Sequence, residues 1–357
     1  WLTIFLVVGG NMKKSVKKAL GILIALLLIL VALSASLLII NKPKDRTDNT
    51  FVVVKIKEGS STNDIAKELY KKGVISSVSK YKLVSKIWRY DGKYKAGSFS
   101  VSPSMRSSDI AQTIVKGVSS TKTFTIPEGY TIEQTATKLD KEGIVNKDKF
   151  LEIARHGDFS KFSFLKGAQS GDNHLEGYLY PDTYAVDLDA DETQVITTML
   201  NQYDKVFTKK YKKRAKELNL SENEIIIIAS LIERESQYDG DRAKIASVIY
   251  NRIKAGMPLQ IDATIQYALG KPKENLSIAD TKIDSPYNTY TNKGLPPGPI
   301  CSPGKASIKA ALYPESTDYL YYVVSEKLDG THNFSKDYNK FLKDKEAYSK
   351  ALAEKNK

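Results

Sequence analysis

From Ala19 to Ile40 the chain reads ALGILIALLLILVALSASLLII, with no charged residue. Coiled as a helix, the stretch is about 33 Å long, enough to cross the hydrocarbon core of a bilayer. The alternative is a cleaved signal peptide. This run exceeds the usual apolar length of such signals, and Ser34, Ala35 and Ser36 are followed by more Leu and Ile instead of a cleavage site. The reading is therefore an uncleaved transmembrane helix over 19–40. Lys13, Lys14, Lys17 and Lys18 lie directly before it. By the positive-inside tendency they keep residues 1–18 in the cytoplasm, so the chain is a single-pass protein of the cell membrane with everything after Asn41 outside. Residues 1–11 (WLTIFLVVGGN) lack an initiator, whereas Met12 opens a lysine-rich head. The first eleven are read as a translation-start artefact.

The remaining length fits roughly two domains of about 100 to 200 residues each. With 41% hydrophobic residues, and 21 tyrosines against 11 phenylalanines, the chain can build ordinary cores rich in polar-tipped aromatics, which excludes a disordered protein. The net charge of +13 comes from lysines spread along the whole length. No nucleic-acid-binding signature accompanies it, so nucleic acid is not expected as a partner. A diffuse positive field suits anionic wall polymers or lipid headgroups, and plain solubility accounts for it as well. Cys301 is the single cysteine, so no internal disulfide framework is possible. His156, His174 and His332 are far apart with no carboxylate or thiol at ligand spacing. Neither a metal nor any other cofactor is expected.

Residues 41–50 (NKPKDRTDNT) read as a short polar linker. In FVVVKIKEGSSTNDIAKELYKKGVI a β-branched strand pattern gives way at Glu58-Gly59 to a helical pattern that Gly73 ends. The unit recurs seventy positions later as FTIPEGYTIEQTATKLDKEGIV, with Glu128, Gly129, Ala136, Leu139 and Gly143 on the matching positions. Neither copy can bury its apolar face alone, so each is expected to seed a small α+β unit. The first closes near Gly117 after another strand and helix. This 51–117 module is similar in character to lysine-motif (LysM) wall-binding modules, and a spacer or docking role is an equal alternative. Beyond it, 118–345 is expected to be a larger, mostly helical domain, with 346–357 a charged tail. Two segments dense in Gly, Pro and Tyr, at 174–186 and 285–314, are where binding groups would collect.

Ser221 and Glu224 form a capping-box pattern directly before IIIIASLI, so a helix is expected from about residue 222. It carries Glu233 and Glu235. Two positions on a helix are about 200° apart, so the two carboxylates do not share one cleft. Ile228, Leu231, Ile232 and Glu235 fall on one face. A carboxyl held against apolar neighbours loses hydration of its charged form, which raises its pKa toward what a general acid needs. Periodicity alone also permits a solvent-facing Glu235 at the helix end. Glu233 is expected to be exposed and paired with a nearby base.

The segments IASLIERESQYDGDRAKIASVIYNRIKAGMPLQIDATIQYALG, LEGYLYPDTY and SPYNTYTNKGLPPGPICSPG closely resemble the endolytic murein transglycosylase family, the YceG-like or MltG proteins. The resemblance covers about residues 52–345 in matching order. It implies that Glu235, the second glutamate of Glu-x-Glu-Ser, is the essential acid and base, with Ser236 where many relatives carry threonine. It implies an endolytic lyase that cuts the β-1,4 bond between N-acetylmuramic acid and N-acetylglucosamine and leaves 1,6-anhydro ends, limiting strand length. Gln260, Asp262, Thr264, Tyr287, Asn288, Thr289 and Tyr290 would surround the glycan, with Gln260 and Asn288 foremost. Glu176, Tyr178 and Tyr184 would shape its wall or serve structure alone. The resemblance also implies work beside penicillin-binding proteins and the elongation machinery.

Two other classes stay open: a non-catalytic wall-binding scaffold, and a muramidase hydrolysing the same bond with a second carboxylate. Asp262 is the nearest polar candidate for that carboxylate, although capping or orienting the helix after it is the favoured role. The expected fold is α+β, with a transmembrane helix, a small LysM-like strand-helix module and a helical catalytic domain whose active-site region is partly lysozyme-like.

Overall fold

The computed structural model describes residues 14–117, 120–168, 171–270, 273 and 276–355. The expected start at Met12, and the stretch before it, lie outside the described residues. Contacts divide the chain into two compact units, 1–121 with 187–189, and 122–186 with 190–357.

In the first unit, α1 (Lys14–Ile40) continues the apolar run back into the lysine head. Its Lys18–Ile40 portion has a mean hydropathy of 3.1 and buries none of its apolar window against the protein, so its length and composition allow it to cross a membrane. Then follow β1 (Val52–Ile56), α2 (Thr62–Lys71), α3 (Val78–Ile87), β2 (Gly97–Val101) and α4 (Ser107–Lys116). β1 and β2 pair antiparallel, with Val54 opposite Phe99. Alternation along β1 turns Val54 and Ile56 inward, onto Ile65 and Leu69 of α2, Tyr81 of α3 and Ile110 and Ile114 of α4.

The polar segment after α1 is fastened to this core. The Asn41 side chain donates to Ser108 Oγ (2.9 Å) and accepts from its backbone N–H (2.8 Å). Lys44 Nζ donates to the Gly73 carbonyl, and the Asp45 N–H donates to the Pro103 carbonyl.

The second unit runs β3 (Thr121–Thr125), α5 (Ile132–Lys141), α6 (Lys147–His156), β4 (Thr183–Asp187), α7 (Glu192–Val206), α8 (Lys209–Glu217), α9 (Glu222–Glu235), α10 (Arg242–Lys254), α11 (Asp262–Ala268), α12 (Lys305–Leu312), β5 (Tyr321–Val324), β6 (His332–Ser335) and α13 (Tyr338–Lys355). β3 pairs with β4, and β5 pairs antiparallel with β6, setting Tyr322 opposite Phe334. α13 lays Phe341 and Tyr338 against Tyr321 of β5. The architecture is thus mixed: helices with two-stranded sheets.

The internal repeat is visible in both units. α2 and α5 each have ten residues, and each opens with a reciprocal capping box, Ser61 with Asp64 and Thr131 with Gln134. Gly59 and Gly129 precede them with φ of +75° and +78°, a conformation that disfavours side chains.

α9 is the central element. Ser221 and Glu224 close its capping box as the sequence predicts, satisfying N–H groups that the first turn leaves unpaired. Every residue from Ile225 to Ile232 is buried. A helix apolar all round must be enclosed, and α9 packs against α10, α11 and α12. Its buried length fixes the direction in which its last turn, with Glu233, Arg234 and Glu235, emerges.

Candidate active site

Glu233 and Glu235 leave α9 toward different partners. Glu233 accepts the Gly304 N–H (2.9 Å) and lies 3.5 Å from Arg242 Nη1, with only 7% of its side chain exposed. The expected pairing with a base is there; the expected exposure is not, because the loop before α12 covers this side of the helix. Arg242 also donates to Ser307 (2.6 Å) and Asp239 (3.0 Å). Glu233 is thereby held in a structural network.

Among the described residues Glu235 accepts one hydrogen bond, from the Tyr322 hydroxyl to Oε2 at 2.8 Å. That leaves Oε1 as the oxygen able to carry a proton toward a ligand. Burial pushes its carboxyl up to about 7, the Tyr322 contact pulls the other way, and the Asp262 charge adds to the rise. A carboxyl with that value is partly protonated at neutral pH and can both give and take a proton.

Tyr322, the hydrogen-bond partner of Glu235, was not among the residues that sequence reasoning singled out. It stands on β5 with its ring edge-on to His332 of β6, centroids 5.5 Å apart. His332 is fixed in turn by Asp241, which accepts its backbone N–H at 2.7 Å and faces Nδ1 at 3.2 Å. A buried chain of contacts therefore runs Asp241, His332, Tyr322, Glu235. No carboxylate lies at ligand spacing from His332 along the chain; the fold brings one from 91 residues away.

Asp262 is the first residue of α11, and the N-cap position before it is held by Ile261. Of the expected role, capping or orienting the helix, the capping part is corrected; the Asp262 carboxylate instead accepts the Tyr290 hydroxyl. Gln260, at a left-handed φ of +55°, donates its N–H to the Thr289 carbonyl, and its Oε1 accepts from Arg252 (3.2 Å). Arg252 also donates to the carbonyls of Leu320, Pro258 and Leu259, tying the entry to β5 onto this loop. Gln260, Asp262 and Tyr290 keep exposed or half-buried side chains here.

The other expected residues lie deeper. Thr264, Asn288 and Thr289 are buried. Thr264 donates to the Ile261 carbonyl, Thr289 accepts the Ile261 N–H, and Asn288 Nδ2 donates to the Ile283 carbonyl. They hold the 285–292 loop onto α11. Tyr287 packs against Tyr267 with the rings tilted by 50° and centroids 4.8 Å apart. Ser236 ends α9 and donates to the Tyr238 carbonyl. Tyr178 is a core residue bonded to Asn223, and Tyr184 donates to the Tyr180 carbonyl.

Glu176 is fully enclosed. It accepts the Ile132 N–H at the start of α5 (3.2 Å) and the Tyr267 hydroxyl (3.3 Å), and burial pushes it up to about 8.

Together these features define a mixed helix-and-sheet protein with glutamates raised by burial and bonded by tyrosines, among them Glu176, enclosed in the fold, and Glu235, at the end of a buried helix. Residues 54–347 match the YceG-like family, and the chain belongs to that family. It is 35% identical over 88% of its length to an endolytic murein transglycosylase of Bacillus subtilis, covering 89% of that protein. It is also 35% identical to an endolytic murein transglycosylase of Streptococcus pneumoniae, matching 79% of this chain and 55% of that one. A crystal structure of a YceG-like protein from Listeria monocytogenes superposes with a TM-score of 0.56 at 35% identity, covering 82% of this chain and 99% of that one.

Proposed function

We propose that this protein is an endolytic peptidoglycan lytic transglycosylase with Glu235 as its single acid and base. The observation that carries the reading is a carboxyl raised to about 7 by burial, with one oxygen held by Tyr322 and the other free. Protonated Glu235 gives its proton to the oxygen leaving C1 of N-acetylmuramic acid, and N-acetylglucosamine departs as the alcohol. The carboxylate then takes the proton from the 6-hydroxyl of the same muramyl residue as that oxygen closes on C1. A 1,6-anhydro ring forms, no water is consumed, and Glu235 is returned protonated. One carboxyl suffices because the substrate supplies the nucleophile.

A muramidase would need a second carboxylate. Asp262 is the carboxylate whose charge reaches Glu235, but its oxygen is engaged by Tyr290. Gln260, held in place by Arg252, keeps its amide Nε2 unbonded among the described residues and offers it to a sugar. On the same reading, α1 is the membrane anchor with the rest of the chain outside, and the 51–117 module is LysM-like, giving the glycan a second hold. Penicillin-binding proteins at sites of new wall synthesis are the protein partners that fit.

Mass spectrometry of products from uncrosslinked glycan strands tests the chemistry. Anhydro-muramyl ends are expected from the parent, and a loss of at least about a thousandfold in Glu235→Gln. Reducing ends would replace the lyase with a hydrolase.

A further inference from the structure

Near the end of α9 lies a concavity that the proposed reaction does not use. It has a volume of about 350 Å³ and is lined by Thr131 and Gln134 of the α5 start, Asn173, Glu176, Arg234 and Gln266. Two of its lining residues, Arg234 and Ala263, are chain neighbours of Glu235 and Asp262. Arg234 directly precedes Glu235 on α9, and α11 carries Asp262 at one end and Gln266 one turn on, about 6 Å along its axis.

Its chemistry is that of an anion receptor. Arg234 is exposed and has no carboxylate partner among the described residues. The other acid on the rim, Glu133, is paired with Lys147 at 2.6 Å. Gln134 uses its amide oxygen in the capping box, which leaves the amide nitrogen as a donor. Asn173 donates to the Tyr267 hydroxyl and retains a second N–H. A bare carboxylate on the floor would repel an anion, but Glu176 is held largely neutral at pH 7 by burial.

We propose that this concavity is a subsite for a carboxylate borne by the muramyl residue, paired with Arg234 and received by the amides of Gln134 and Asn173. The inference rests on the glycan reading of Glu235. Muramic acid carries such a group in two forms, the free lactyl carboxylate of a strand stripped of peptide and the carboxylates of an attached peptide. A guanidinium suits either, because its fork of donors matches a carboxylate in two-point contact.

Four strand preparations separate the possibilities: stripped or peptide-bearing, each with carboxylates free or capped as amides. The parent is expected to favour free over capped strands by about tenfold in kcat/KM for one preparation, and that preparation identifies the source. Arg234→Gln is expected to bring the ratio close to one, and Arg234→Lys to keep part of it. Strand binding to the Glu235→Gln protein, with and without Arg234→Gln, gives the same ratio without any cleavage, so a failure of the lyase reading leaves this test intact. A parent indifferent to capping, or a ratio that survives Arg234→Gln, overturns the subsite.

Discussion

The Tyr322 hydroxyl lowers the Glu235 pKa while burial raises it, so the working value is a balance between a contact and an environment. A general acid acts only while protonated, and that fraction falls as pH rises through about 7. The rate is therefore expected to decline on the alkaline side of neutrality. Tyr322→Phe removes the lowering contact and keeps the burial, so the pKa climbs and the alkaline limb moves to higher pH. Lost orientation should also reduce kcat about tenfold. A pH profile of kcat/KM checks both, and an unmoved limb would remove Tyr322 from the proton-transfer account. In the sequence Glu235 was singled out by the family resemblance; its place on an apolar stripe at helical spacing fitted that choice but also allowed a solvent-facing residue at the helix end. Tyr322 was not singled out: β5 reads YYVV, neighbouring tyrosines face opposite sides of a strand, and nothing local says which one meets a residue 87 positions earlier.

Helix starts were the most readable elements, since a capping box is written in four consecutive residues, as at Ser221–Glu224. The segment at 174–186 was readable only as an ordered loop. The structure shows why its glycine is needed. Gly177 has φ of +85°, and a Cβ there would lie 2.6 Å from Pro299 and 2.9 Å from Ile226 of α9. Backbone strain and a clash with α9 act together, so Gly177→Ala is expected to cost about 2 to 4 kcal/mol of stability. Equilibrium denaturation in urea measures it; an unchanged midpoint would mean that the loop yields freely. Glu233 shows the limit of reading one helix at a time. Its position beside Ala229 and Ser230 allowed exposure, but the covering loop arrives from residue 304.

At the scale of the whole molecule, the apolar run and the repeat were legible because each is a property of contiguous residues. The membership of 187–189 in the first unit was not, because that segment returns from the far side of two helices in sequence. The anchor reading makes a plain prediction. The full chain should sediment with membranes and resist extraction by alkaline carbonate, and protease added outside wall-stripped cells should remove a C-terminal epitope while sparing an N-terminal one. Release by carbonate would mean a cleaved or peripheral protein. The polar stretch after α1 then takes on meaning. Asn41, Lys44 and Asp45 are pinned to the first unit, so the chain leaves the helix on a leash with no slack. On the anchor reading the first unit is then moored at the bilayer surface, and whatever it grips is held there with it.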